Sequence, residues 1–173
     1  EDEVIFPGLS FPAYDGIARQ DGGNARQNPM RPDFTIDTEA MAGAVTPRTK
    51  LVFLCNPNNP TGLMTDKKEF DDFLVRIPET ALIVSDEAYW EFADSGDYPD
   101  SLEYLKAHRN LIVLRSFSKV MGLAGLRIGY AMADPELVGV MMKAREPFPV
   151  NRIAQAGALA ALDDHEFIEK PNA

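Results

Sequence analysis

The chain has 173 residues, of which 45% are hydrophobic and 25% charged, an ordinary balance for one globular domain and the wrong one for a disordered chain. Its net charge of −10, from 17 Lys and Arg against 27 Asp and Glu, speaks against a nucleic-acid binder or a partner of anionic membranes. Cys55 is the one cysteine, which excludes an internal disulfide, makes a thiolate metal cluster unexpected and fits the reducing cytoplasm.

Short apolar runs alternate with longer amphipathic segments, the pattern of a parallel α/β sheet. Behind the acidic Glu1-Asp2-Glu3, which is no signal peptide, Val4-Ile5-Phe6-Pro7 reads as a core strand over 3–6. It has no preceding element to cover it, so the chain is expected to begin inside a fold. A helix over about 12–21 follows, then the turn Asp21-Gly22-Gly23-Asn24, a strand over 24–28 and a helix over 38–44. After a strand at 51–55, Thr65-Asp66 caps a helix over 66–76 whose Phe70, Phe73 and Leu74 form a core-facing stripe. A strand at 81–85 leads to Asp94-Ser95-Gly96-Asp97-Tyr98-Pro99-Asp100, a solvated loop near the site entrance, and to a helix over 101–107.

Strands at 111–115 and 127–133 come next, and Asp134-Pro135 starts a helix over 134–145 with a cap and a proline at its first position. A last helix spans 151–163, and Phe167-Ile168-Glu169-Lys170 carries a helical pattern into Pro171-Asn172-Ala173. No apolar stretch has transmembrane length, and no repeat or internal linker is visible.

The unusual chemistry follows three of these strands. Ligands of open parallel sheets bind outside the carboxyl ends of the strands, so this clustering points to a site. Asp86 ends the run Ala81-Leu82-Ile83-Val84-Ser85. Alone it reads as a turn acid; functionally its carboxylate suits a protonated heteroaromatic nitrogen, which it would keep cationic. The loop Asn56-Pro57-Asn58-Asn59-Pro60-Thr61-Gly62 is a rigid turn on the plain reading. It also offers an Asn amide held with little ordering cost as a donor to a phenolate oxygen, to which Tyr89 could donate as well. In Arg115-Ser116-Phe117-Ser118-Lys119, the lysine could form a Schiff base if burial or a nearby cation lowered its pKa. Ser116, Ser118 and Arg127 are donors suited to a phosphate dianion.

These strings resemble the fold-type I pyridoxal phosphate enzymes, specifically the aspartate aminotransferase superfamily. The full string Asn56 to Gly62 is most similar to the histidinol-phosphate aminotransferase branch. Asp86-Glu87-Ala88-Tyr89, Ser116-Phe117-Ser118-Lys119, Gly122-Leu123-Ala124-Gly125-Leu126-Arg127-Ile128-Gly129-Tyr130 and Pro147-Phe148-Pro149-Val150-Asn151 support it, and the likeness runs from about Asp2 to Ile168.

The resemblance implies a three-layer α/β/α fold, a mostly parallel sheet with 127–133 antiparallel, forming residues 1–173 of a cofactor-binding large domain. That domain is expected to be incomplete at both ends, without its glycine-containing phosphate loop and without a small domain. The resemblance also implies pyridoxal 5'-phosphate as cofactor, held by Lys119 as an internal aldimine. Asp86 would pair with the pyridinium nitrogen, Asn59 and Tyr89 with the phenolate oxygen, and Ser116, Ser118 and Arg127 with the phosphate. The implied activity is amino-group transfer between an amino acid, of the histidinol phosphate type, and a 2-oxo acid or ketone. A cytoplasmic homodimeric parent is implied, with no metal site, nucleic acid or membrane partner.

Three other readings compete. A decarboxylase of a phosphorylated hydroxy-amino acid uses the same cofactor loops. A non-catalytic regulatory or truncated cofactor-binding domain is another, although nothing basic suggests a fused DNA-binding partner. A nucleotide-binding reading fails on the spacing of Gly122, Gly125 and Gly129.

Overall fold

A computed structural model describes residues 1–169. In chain order the regular elements are β1 (Glu3–Pro7), α1 (Ala13–Gln20), β2 (Asn24–Asn28), α2 (Thr38–Gly43), β3 (Thr49–Cys55), α3 (Lys67–Arg76), β4 (Leu82–Asp86), β5 (Leu111–Ser116), β6 (Gly129–Ala133), α4 (Pro135–Ala144), α5 (Arg152–Asp163) and α6 (His165–Glu169). They form one six-stranded sheet in the order β2-β1-β3-β4-β5-β6, parallel throughout except for the antiparallel β5–β6 pair. This is the α/β architecture expected, with the one reversed strand where it was expected.

Alternation along the strands sorts two cores. Ile5, Val52, Leu54, Ile83, Leu111 and Val113 point to one face, where Met41 of α2 and Phe70, Phe73 and Leu74 of α3 cover them. Burying each of those large side chains contributes about 1.5–3 kcal/mol. On the other face Val4, Phe6 and Cys55 pack with Tyr14 and Ala18 of α1. Cys55 is thus buried packing.

Local signals hold the helix starts. Asp66 accepts from Glu69 N at 2.8 Å at the head of α3. Asp134 accepts from Glu136 N at 2.9 Å ahead of Pro135. Two expectations need correction. The helix over 101–107 is a short 3-10 turn at Ser101–Tyr104, started by the Asp100 side chain, which accepts from Leu102 N at 3.1 Å. The strand over 127–133 begins at Gly129, because Ala124–Leu126 is another 3-10 turn and Arg127 lies in the left-handed region at φ 51°. Gly129 itself is required there: a Cβ would sit 2.9 Å from the Arg115 carbonyl oxygen.

β6 is an edge strand, and Tyr130 on it is exposed. The helical pattern at Phe167 continues as α6 to Glu169, while Lys170 and the Pro171-Asn172-Ala173 end lie outside the described residues. Among the described residues, no helix is long and apolar enough to cross a membrane, and no group of three or more His, Cys, Asp or Glu is placed to hold a metal ion.

Candidate active site

Parallel register brings the strand ends together. Cys55 of β3 faces Asp86 of β4, and Asp86 faces Leu114 of β5. The loops leaving these three strands therefore share one rim of the sheet, with the loop after β1 beside them.

A small cavity of about 60 Å³ lies on that rim, lined by Phe11, Cys55, Asn59, Asp86, Ala88, Tyr89 and Lys119. Four predicted site residues, Asn59, Asp86, Tyr89 and Lys119, thus meet in one place. The Lys119 ammonium lies 4.6 Å from the centroid of the Tyr89 ring, a cation–π contact. Lys119 is exposed and stands on the loop that follows β5.

Ser116, Ser118 and Arg127 form a second group. Ser118 N donates to Ser116 Oγ at 3.0 Å, and Arg127 Nη1 donates to Ser118 Oγ at 3.4 Å and to the Ala124 carbonyl at 2.8 Å. Arg127 is exposed and keeps a strained backbone. A non-glycine residue in this region costs on the order of 1–3 kcal/mol, and such strain clusters at ligand-binding positions.

The asparagine loop divides its labour. Asn56 is buried, and its amide closes on Thr65 at both ends: Nδ2 donates to Thr65 O at 3.0 Å and Oδ1 accepts from Thr65 N at 2.9 Å. Asn58 is buried too. Its Nδ2 donates to Leu9 O at 2.9 Å and Thr61 Oγ1 at 3.0 Å, while its Oδ1 accepts from Ser10 Oγ at 2.8 Å. Of the three asparagines, Asn59 is the one that lines the cavity. The doubled asparagine therefore couples a structural residue to a cavity residue, and Asn58 ties down the 8–11 loop that carries Phe11.

Sequence reasoning missed four contributors. Phe11 walls the cavity. Tyr14 Oη donates to Asp86 Oδ2 at 2.5 Å, and Asp86 Oδ1 accepts from Ala88 N at 3.2 Å. Burial pushes the Tyr14 phenol well above its usual range, and the neighbouring Asp86 charge adds to it. Burial followed by the same charge pushes the Cys55 thiol up. An aromatic residue in the loop after β1 was the available signal for Phe11.

Tyr98 and Arg115 are the other two. Tyr98 Oη donates to Asn56 O at 2.7 Å. The Arg115 guanidinium is buried: Nε donates to Glu87 Oε2 at 2.9 Å, Nη2 to Asp100 Oδ1 at 3.3 Å, and its carbon lies 3.9 Å from the centroid of the Trp90 ring. Burial pushes the Glu87 carboxyl up, with the Ser101 hydroxyl and then Arg115 pulling it back. The 94–100 segment, expected as a solvated loop near the site entrance, is tied to the ends of β3 and β5 through Tyr98 and Asp100.

The donor set suits one kind of ligand. An amine, an acceptor carboxylate, the Asn59 amide and the Tyr89 phenol share the cavity, and two hydroxyls with a guanidinium lie in the loops around it. That combination fits a carbonyl-bearing cationic heteroaromatic ring with a phosphate arm.

Residues 1–172 match the model of the family described as aminotransferase class I and II, and the chain belongs to that family. It is 48% identical to a histidinol-phosphate aminotransferase of Carboxydothermus hydrogenoformans over 98% of this chain and 47% of that protein. It is 46% identical to an aromatic amino acid aminotransferase of Nocardia farcinica over 99% of this chain and 49% of that protein. Among solved structures, it superposes on the histidinol-phosphate aminotransferase of Sinorhizobium meliloti in complex with pyridoxal-5'-phosphate with a TM-score of 0.91. That pair is 35% identical, over 98% of this chain and 46% of the other. The chain spans about half the length of the curated relatives it matches.

Proposed function

We propose that this chain is part of the cofactor-binding large domain of a pyridoxal phosphate-dependent aminotransferase. The observation that carries the reading is the meeting of Lys119, Asn59, Asp86 and Tyr89 in one cavity at the carboxyl ends of β3, β4 and β5. Relatives named as aminotransferases and a neighbour solved with pyridoxal-5'-phosphate support it.

When bound, pyridoxal phosphate supplies an electron sink that stabilises negative charge at a substrate α-carbon. Lys119 would be the amine that holds the cofactor, and its Nζ would carry a proton to and from the reacting carbons. Proton transfer of this kind is worth roughly 10²–10⁴-fold. Asp86 would accept from the ring nitrogen. Asn59 and Tyr89 would donate to the phenolate oxygen, and Ser116, Ser118 and Arg127 to the phosphate. Phe11 lines one side of the cavity.

For the substrates we propose an amino donor of the histidinol phosphate type and a 2-oxo acid acceptor such as 2-oxoglutarate. The relatives named for histidinol phosphate and for aromatic amino acids stand at near-equal identity, 48% and 46%. A cytoplasmic homodimeric parent protein acting on small molecules, away from nucleic acid and membranes, completes the proposal; one buried cysteine and a net charge of −10 are in keeping with it. Incubation with pyridoxal phosphate, histidinol phosphate and 2-oxoglutarate tests the reading. Glutamate and a phosphorylated ketone are the expected products. Glutamate from aromatic donors alone would reassign the substrate, and carbon dioxide release from a phosphorylated hydroxy-amino acid, with no glutamate from any donor, would overturn transamination.

A further inference from the structure

We propose that Tyr14 is a positioning residue for Asp86 and, through it, for the ring nitrogen of the cofactor. The proposal rests on the cofactor reading above and adds a residue that no motif in the sequence marked.

Tyr14 and Asp86 come from different layers. Tyr14 stands in the first turn of α1 and Asp86 ends β4, yet the phenol donates to Oδ2 at 2.5 Å. The ring has little freedom to leave. Tyr14 is 5% exposed, stacks on Phe53 with centroids 4.5 Å apart and an interplanar angle of 20°, and meets the Phe11 edge at 5.7 Å. Since Ala88 N holds Oδ1, both carboxylate oxygens are engaged and the plane of the carboxylate is fixed.

The surroundings make that hydrogen bond matter. On the α1 face, Tyr14 and Asp86 also line an apolar cavity of about 390 Å³ with Val4, Phe53 and Leu114. A carboxylate beside such a surface is costly to hold in place without hydrogen-bond donors. An O–H donor to a carboxylate is among the stronger hydrogen bonds available. The raised phenol pKa keeps Tyr14 a donor throughout the neutral range. Tyr14 therefore holds the Asp86 carboxylate aimed at the place where the ring nitrogen would stand. Phe11, next to Tyr14 in the aromatic group, belongs to the cofactor cavity itself, so a single segment supplies both wall and brace.

The test compares two ligands on the full chain: pyridoxal phosphate, and its 1-deaza analogue, in which carbon replaces the ring nitrogen. Tyr14→Phe keeps the aromatic packing and removes only the donor. A hydrogen bond to a charged group is worth enough that Tyr14→Phe should weaken pyridoxal phosphate about tenfold and the analogue less than about twofold. Phe53→Leu, which disturbs the packing and spares the hydroxyl, should leave the ratio of the two affinities unchanged. Binding is read by absorbance below the thermal melts of all variants, so that loss of fold is not counted as loss of binding. Equal weakening of both ligands, or of neither, overturns the proposal and leaves Tyr14 a packing residue. An unsubstituted chain that fails to bind pyridoxal phosphate overturns instead the cofactor reading on which the proposal stands.

Discussion

Asn58 and Asn59 are neighbours with opposite duties, and substitution should separate them. Asn58→Ala removes two donated bonds and one accepted bond in a buried setting. It should cost about 1–3 kcal/mol, seen as a lower melting temperature. Asn59→Ala should leave the melt unchanged and weaken pyridoxal phosphate binding, as measured by absorbance titration. The reverse pattern would contradict the assignment of Asn59 to the cavity. Lys119, Asp86 and Tyr89 were legible because each follows an apolar run with a change of chemistry that core packing does not require. Tyr14 was not legible, since its partner is 72 residues away and only the order of the strands brings them together. The exposure of Lys119 was equally hidden, because sequence marks where a strand ends and not how far the next loop stands clear of it.

At the scale of elements, two buried charges hold the strands in place, one at each end of the sheet. Glu3 heads β1 and receives Thr46, Arg48 and Arg26, so its carboxyl falls from 4.5 to about 2 through the Thr46 hydroxyl first and the Arg48 guanidinium next. Depression of an acid pKa stabilises the fold above the unfolded value, and that contribution drains away as pH falls from 4.5 towards about 2. Glu3→Gln should therefore flatten the pH dependence of the melting temperature over that window. An unchanged slope would show that Glu3 does not carry it.

At the other end, Arg115→Met leaves the Glu87 carboxylate buried without its cation and should cost about 3–5 kcal/mol in denaturant unfolding. The double substitution Glu87→Leu with Arg115→Met should recover most of that loss. The strands were readable because burial on both faces makes nearly unbroken apolar runs, and Asp66 and Asp134 announced their helices by capping. The helix expected over 101–107 fails for a physical reason: the Asp100 cap starts a turn that tightens to 3-10, and the chain leaves it by Leu105. Nothing in the glycine-rich string 122–130 forecast that Arg127 takes the left-handed conformation as well as Gly122.

The whole molecule combines a well-covered sheet centre with a bare β6 side. Tyr130 on β6 is 41% exposed, and Ile153, Leu159 and Leu162 of α5 are exposed with it. An apolar sheet edge invites self-association, which a net charge of −10 opposes only through long-range repulsion. Sedimentation should therefore show concentration-dependent association that grows with added salt. Ile153→Lys with Leu159→Glu should reduce it. A species of constant size in both salts would contradict this view of the β6 side.

The central claim is that Lys119 is the amine around which the site is built. Borohydride reduction in the presence of pyridoxal phosphate, followed by peptide mapping, tests it most directly. A phosphopyridoxyl mass is expected on the peptide containing Lys119 at equimolar cofactor, and it should be lost in Lys119→Ala together with the accompanying absorbance band. Label spread over Lys50, Lys67, Lys68, Lys106 and Lys143 with no preference for Lys119, or a band that survives in Lys119→Ala, would contradict it.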